Sequence, residues 1–278
     1  MTLAATDPLA ALATDRFNGV HPIMTPDSRD NASTRVPNRP GRPQGAGLSH
    51  TGHVRTNNED AILTDPSGVL WAVADGMGGY GYGDVAADLV IEQLALIPHT
   101  PVSGGHLVAA LQSANSAVRR WAASANVAQM GATVVAALID GGATTIAWVG
   151  DSRAYRSRGG ELLQLTRDHS VVQELLDDGH LSPAAVRQHP QSHVVTRAIG
   201  AADRLDVDSV EVALEPGDFL LLCSDGLTDC LAEPEIIAHL NAPSPDAACR
   251  RLVAAALDHG APDNVSVIVI RIDGDVAP

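Results

Sequence analysis

The stretch Trp71-Ala72-Val73-Ala74-Asp75-Gly76-Met77-Gly78-Gly79 sets the terms on which the rest of the chain is read. Val69 to Ala74 is an apolar run of strand length that breaks off in Asp75, and Gly76, Gly78 and Gly79 follow. A buried strand thus delivers one carboxylate to backbone free of side-chain bulk, which is how a site is built. The device recurs. Phe219 to Cys223 runs into Ser224-Asp225-Gly226, and Thr145 to Val149 runs into Gly150-Asp151-Ser152. Pro262-Asp263-Asn264 precedes the apolar run Val265 to Ile270, so Asp263 marks where a strand begins. Carboxylates gathered at buried strand ends are prohibitively costly unless cations neutralise them. An all-oxygen set suits hard ions such as Mg2+ or Mn2+.

Outward from these points the chain alternates sheet and helix. Ala61 to Thr64 reads as a strand. Asp84 is a plausible N-cap for a helix in which Val85, Leu89, Leu94 and Ile97 recur until Pro98. A second helix covers about Gly105 to Ala125, with Leu107, Leu111, Ala114, Val118 and Trp121 on one stripe. Thr133 to Ile139, the turn Asp140-Gly141-Gly142 and Thr144 to Val149 form a hairpin, and Arg153 to Ser157 with Leu162 to Leu165 form another. Phe219 to Cys223 and Val265 to Ile272 are strands, while Pro234 to Leu240 and Pro245 to His259 are helices with proline where N1 would be. Without βαβ regularity the fold class is α+β.

Two segments break the rhythm. Residues 1 to 46 include Pro37-Asn38-Arg39-Pro40-Gly41-Arg42-Pro43, a linker composition, and are expected to form a disordered or loosely attached extension before a domain over 47–278. Thr166 to Leu205 holds a helical Ser170 to Asp178, a short helix opened by Pro183, and four scattered histidines, His169, His180, His189 and His193. Their spacing does not suit a zinc site, so this segment reads as a lid or flap beside the carboxylates.

Composition bounds the partners. In 278 residues, 33 acidic side chains outweigh 18 basic ones, giving a net charge of −15, which argues against nucleic acid or an anionic membrane as the main partner. No apolar run approaches the roughly 20 residues of a membrane span, and the N-terminus does not resemble a signal peptide. Three cysteines without metal spacing are expected to be reduced and packed, which fits a cytoplasmic location.

There is no Gly-x-x-x-x-Gly-Lys-[Ser/Thr] phosphate loop and no Gly-x-Ser-x-Gly elbow. Carboxylates accompanied by an arginine are instead what metal-assisted phosphoester hydrolysis requires. Two ions sharing a carboxylate lower the pKa of a water and stabilise the attacked phosphoryl group, while Arg55 grips the phosphate oxygens.

The motifs Arg55-Thr56-Asn57-Asn58-Glu59-Asp60, Ala74-Asp75-Gly76-Met77-Gly78-Gly79, Gly131-Ala132-Thr133 and Val149-Gly150-Asp151-Ser152-Arg153 occur in that order. Thr166-Arg167-Asp168-His169-Ser170, Cys223-Ser224-Asp225-Gly226-Leu227 and Pro262-Asp263-Asn264-Val265 continue the series. Over about residues 47 to 273 this series resembles the signature of metal-dependent serine/threonine protein phosphatases of the PPM (type 2C) family, above all its stand-alone bacterial members.

The resemblance implies a four-layer α-β-β-α sandwich of two antiparallel sheets flanked by helix pairs, with the ions in a cleft at one end. It implies that Asp75 bridges two Mn2+ or Mg2+ ions, that the Gly76 carbonyl completes one shell, and that Asp225 and Asp263 hold the first ion. Glu59 would act mainly through water on the second ion. Asp151 with Asp225 would hold a weaker third ion, Arg55 would bind the substrate phosphate, and residues 166–205 would be the flap. The implied activity is hydrolysis of phosphoserine and phosphothreonine in proteins, opposing a bacterial Ser/Thr kinase, by a chain expected to be a monomer. The alternative is a phosphoprotein-binding regulatory module without turnover. Met77 stands where many eukaryotic members have histidine, which leaves the general acid open between a metal-bound water and His53.

Overall fold

The computed structural model describes residues 34–35, 43–78, 81–98, 103–140 and 143–273. In chain order the first strands are β1 (Thr34–Arg35), β2 (Gln44–His50), β3 (Asp60–Thr64) and β4 (Leu70–Met77), followed by helices α1 (Gly83–Ala95) and α2 (Gly104–Ser124). Four strands come next: β5 (Gly131–Asp140), β6 (Ala143–Val149), β7 (Arg153–Arg158) and β8 (Glu161–Gln164). The flap holds α3 (Val171–Asp177) and a 3-10 helix, Pro183–Gln188. The chain continues through β9 (Asp208–Val212), β10 (Phe219–Cys223), α4 (Asp225–Cys230), α5 (Glu233–Leu240), α6 (Pro245–Asp258) and β11 (Val265–Arg271).

All strand pairs are antiparallel. They form one sheet in the order β1-β2-β11-β10-β7-β8 and a second in the order β3-β4-β5-β6-β9. Three apolar layers follow from strand alternation. Leu70, Ala72 and Ala74 of β4 pack with Val90 and Leu94 of α1 and with Leu107 and Leu111 of α2. The intervening Trp71 and Val73 face the other way and meet Leu220 and Leu222 of β10 and Ile268 and Ile270 of β11. Leu221 and Cys223, with Val267 and Val269, turn outward onto Leu227, Ile236, Leu252 and Ala256 of α4 to α6. The result is the expected four-layer α+β sandwich.

The large Trp71 indole lies fully buried between the sheets, its N–H donating to Gly68 O at 3.2 Å. Gly45 in β2 makes room for it: a Cβ there would sit 2.3 Å from Trp71 Cη2. Gly45→Ala is therefore expected to cost about 1–3 kcal/mol through overpacking, read as a lower urea midpoint at unchanged slope.

Several elements differ from the sequence reading, among them β9, the edge strand beside β6, which that reading does not contain. Gln44, Gly45 and Ala46 belong to β2, and Thr34 and Arg35 pair with Gly47 and Ala46, so the sheet begins inside the segment expected to be a loose extension. The polar linker composition hid a strand whose ladder to β11 runs over seven residue pairs. Residues 1–33, where most of that extension falls, and the turn residues 141–142 lie outside the described residues. Helix α1 begins at Gly83 with Tyr82 as N-cap, not at Asp84, because Gly83 packs against the backbone of Gly76. Asp225 opens the short helix α4, with Ser224 as its N-cap, rather than standing in a glycine loop.

Candidate active site

Asp75 does not end its strand. It continues the face of Trp71 and Val73 two residues further, so it points between the sheets at the end where the apolar filling stops. Its cross-strand partners are Asp60 on β3 and Thr133 on β5. The opposite sheet changes character at the same level: Ser49 of β2, Ser266 of β11 and Ser224 after β10 follow the same alternation and are all buried. Ser224 Oγ donates to Asp60 Oδ2 at 2.9 Å, the Ser266 N–H donates to Ser224 Oγ at 3.0 Å, and Ser266 Oγ donates to Ser49 Oγ at 2.7 Å. A chain of hydroxyls thus ties both sheets beneath the carboxylates.

Asp60 is the residue the sequence reading passed over. The motif Arg55–Asp60 gives it no role of its own, yet it is 1% exposed and lies opposite Asp75 in the ladder. The strand start at Asp60, two residues from the apolar Ile62 on the same face, is the signal that could have found it.

The electrostatics are those of a crowded acidic cluster. Burial, followed by the charges of Asp60, Asp225, Asp151 and Asp263, holds Asp75 well above the carboxylate range. Burial pushes Asp60 up to about 7, against the hydroxyls of Ser266 and Ser224, which pull it down. Asp151 rises to about 8 through burial and the neighbouring Asp225 and Asp168. Asp225 rises to about 6 through burial and the charges of Asp229 and Asp263, moderated by a hydrogen bond with Asp75. Carboxylates this reluctant to ionise together would be neutralised by cations, and their oxygens suit a hard divalent ion.

Glycines bring backbone into the cluster. A Cβ on Gly76 would meet Gly83 O at 2.0 Å and Glu59 O at 2.5 Å, and one on Gly83 would meet Glu59 Oε2 at 2.4 Å. The Glu59 carboxylate therefore lies over the first turn of α1, with Gly76 N–H donating to Glu59 O at 3.1 Å. Asp263 sits just before β11, and Arg55 Nη2 donates to its Oδ2 at 2.6 Å from the loop 51–59. That charge partner raises the Arg55 pKa further. Asn264 fixes the loop: its Nδ2 donates to Thr51 O and Asn57 O, and its Oδ1 accepts from Glu59 N–H. His53 is exposed, with its N–H on Ala261 O.

Asp151 follows Gly150, whose φ of +106° and close approach to Thr133 admit no side chain. His169 clasps Gly150 from both sides, donating its N–H to Gly150 O at 2.9 Å and accepting from Gly150 N–H on Nδ1 at 3.1 Å. Its Nε2 then lies 3.3 Å from Asp208 Oδ2. Asp168 is gripped by Arg153 through Nε and Nη2. These contacts explain Thr166-Arg167-Asp168-His169-Ser170 as support for the turn that presents Asp151. The flap adds His193, whose ring nitrogen, together with oxygens of Asp225 and Asp229, falls in a group lying within 4.8 Å of one another. Spacing alone had set the histidines aside, because His193 is brought to the carboxylates by tertiary folding rather than by a helical repeat. The cleft thus joins Asp60, Asp75, Asp151, Asp225, Asp229, Asp263 and Glu59 from both sheets, with Arg55 at its rim.

A family model described as protein phosphatase 2C matches residues 46–259. The chain belongs to the protein phosphatase 2C family. It is 38% identical over 231 residues to the serine/threonine protein phosphatase PstP of Mycobacterium tuberculosis, covering 82% of this chain and 44% of that protein's length. The chain thus spans under half of this relative. With the serine/threonine phosphatase stp of Listeria monocytogenes it shares 33% identity over 235 residues, 80% of this chain and 93% of the relative. The solved catalytic domain of PstP in complex with two manganese ions superimposes with a TM-score of 0.77 at 35% identity, covering 84% of this chain and 99% of that one. The protein phosphatase 2C fold and the bacterial branch of relatives agree with the resemblance read from the motifs. Among the described residues no helix is long and apolar enough to cross a membrane.

Proposed function

We propose that this protein phosphatase 2C member is a metal-dependent hydrolase of phosphoserine and phosphothreonine monoesters in proteins. The observation that carries the reading is the convergence of Asp60 and Asp151, both buried, with the half-buried Asp75 and Asp225, all with raised pKa values, beside the rim arginine Arg55. Asp75 would be a central metal-holding carboxylate, because its face points between the sheets and it touches Asp225. Asp225 and Asp263 would help hold a divalent ion, as would the Gly76 carbonyl and Glu59. Asp151 and Asp225 would be able to hold a further ion, with His193 and Asp229 beside Asp225. When bound, manganese or magnesium supplies Lewis-acid activation of water and neutralises charge at the phosphoryl group.

The chain's own residues do the rest. Arg55 exchanges its bond to Asp263 for a fork to the phosphate oxygens. Asp60, steadied by Ser224, is placed to accept a proton from a water held between the sheets. The loop 51–59 keeps Arg55 in place through Asn264. Arg55→Ala is expected to raise KM for p-nitrophenyl phosphate by about tenfold or more, with a smaller change in kcat, as loss of a ground-state phosphate contact requires. A fall in kcat at constant KM would place Arg55 in the transition state alone.

The relatives' names support protein-bound phosphate as substrate, and a Ser/Thr kinase working in the opposite direction is the partner this implies. A cytoplasmic, monomeric chain whose phosphatase domain takes in strand β2 completes the proposal. The binding-only alternative is not favoured, because a module that merely holds a phosphate gains nothing from a full set of carboxylates that repel it. The deciding experiment is hydrolysis of p-nitrophenyl phosphate and a phosphothreonine peptide with Mn2+, with Mg2+ and with chelator. Chelator-sensitive turnover of both is expected; no turnover with either metal would sink the reading.

A further inference from the structure

The flap is fastened at its base by the clasp of His169 on Gly150 and by backbone bonds between Ala132 and Ile199. Its middle reaches the catalytic end through the 3-10 helix Pro183–Gln188. There Arg187 Nη2 donates to Thr228 O and to Leu231 O, each at 2.9 Å. These carbonyls lie at the C-terminal end of α4, where helical acceptors run out of intrahelical donors and a cation is favourable. Between them in sequence stands Asp229, whose Oδ2 is 3.3 Å from His193 Nδ1. The Arg187 charge bears on Asp229 as well. Flap and α4 therefore meet on both sides of Asp229, and α4 is the helix that Asp225 opens.

We infer that Arg187 is a positioning residue, pinning the flap to the end of α4 so that His193 and the neighbouring Val194 are presented to a phosphorylated protein segment bound at the cleft. Val194 is 43% exposed although apolar, and its backbone is held on both sides, by its own N–H on Gln191 O and by Val171 N–H on its carbonyl. It is a fixed apolar contact beside a site otherwise lined with charge. A small phosphate ester uses only the carboxylates and Arg55. A peptide must also lie against the flap, so the pin bears on peptide recognition. The inference rests on the phosphatase reading and adds a residue to it.

The test compares the parent chain with Arg187→Met, which keeps the stem and loses the donors, and Arg187→Lys, which restores a cation with N–H groups. Two readouts are taken: the ratio of kcat/KM for a phosphothreonine peptide to that for p-nitrophenyl phosphate, and hydrogen exchange of the His189, Ser192 and Val194 amides. Arg187→Met is expected to lower the ratio about fivefold, mainly through peptide KM, and to speed exchange at these amides, with Arg187→Lys recovering part of both. An unchanged ratio overturns the inference, including when exchange is faster, because Arg187 is then a packing contact only. If the parent hydrolyses neither substrate, the phosphatase reading fails, whereas unchanged exchange in Arg187→Met would remove the pin itself.

Discussion

Asp75→Asn is expected to lower kcat for p-nitrophenyl phosphate at saturating Mn2+ by about a thousandfold or more, the scale seen when a group central to charge stabilisation is lost. The substitution keeps shape and one acceptor oxygen while removing the charge from the residue that lies opposite Asp60 and touches Asp225. No neighbouring carboxylate can take over, because each is fixed by its own element: Asp60 by the Ser224 hydroxyl, Asp225 as the first residue of α4. The fold is expected to survive, since Asn is easier to bury than a carboxylate whose pKa is already driven up. Circular dichroism checks the fold and initial rates check the chemistry. Turnover within a few-fold of the parent's would remove Asp75 from the shared position.

The second large effect is on stability. Without metal, Asp225, Asp60 and Asp151 are raised to about 6, about 7 and about 8 from an ordinary 3.8, in each case chiefly by burial. Between these values the folded chain binds more protons than the unfolded one, so stability falls as pH rises. The sign is therefore definite: as far as this cluster is concerned chelated protein is most stable below the ordinary carboxyl value of 3.8 and loses stability progressively from there up to about pH 8. Divalent ions take the place of the protons and are bound best where the carboxylates are ionised. The rise in Tm on adding Mn2+ is expected to be at least about 5 °C greater at pH 8 than at pH 5, roughly what 2 kcal/mol produces in a domain of this size. Thermal scans at the two pH values, with chelator and with Mn2+, measure it. A chelated Tm independent of pH would mean that the carboxylates are not buried together.

Much of this candidate site is legible in the sequence. Asp75, Asp151, Asp225 and Asp263 each interrupt or border an apolar run, and burial of a strand leaves such a carboxylate conspicuous. The helix stripes were equally plain, because Leu107, Leu111 and Val118 recur at 3.6-residue spacing on a face that packs against a sheet. What escaped were features fixed by partners distant in sequence. Asp60 looks like one more polar residue until β3 is laid beside β4. His193 sits in irregular flap backbone, and its place against Asp225 and Asp229 depends on how that backbone folds over α4. Strand β2 was missed because Gly45 and Gly47 have no side chains to show alternation. Those glycines exist to admit Trp71 and Ile62 from the opposite sheet.

Strand β11 is the last of the described strands in sequence, yet it lies between β2 and β10, near the middle of its sheet. During synthesis the chain holds Arg55, Asp75 and Asp151 well before Asp263 has been made. Until β11 arrives, β2 and β10 have no shared neighbour, and two sheet edges stay open to unwanted pairing. Closing that gap joins residues more than two hundred positions apart, the kind of non-local step that slows folding. A chain that lacks β11 has part of the acidic cleft but neither Asp263 nor the strand that joins β2 to β10.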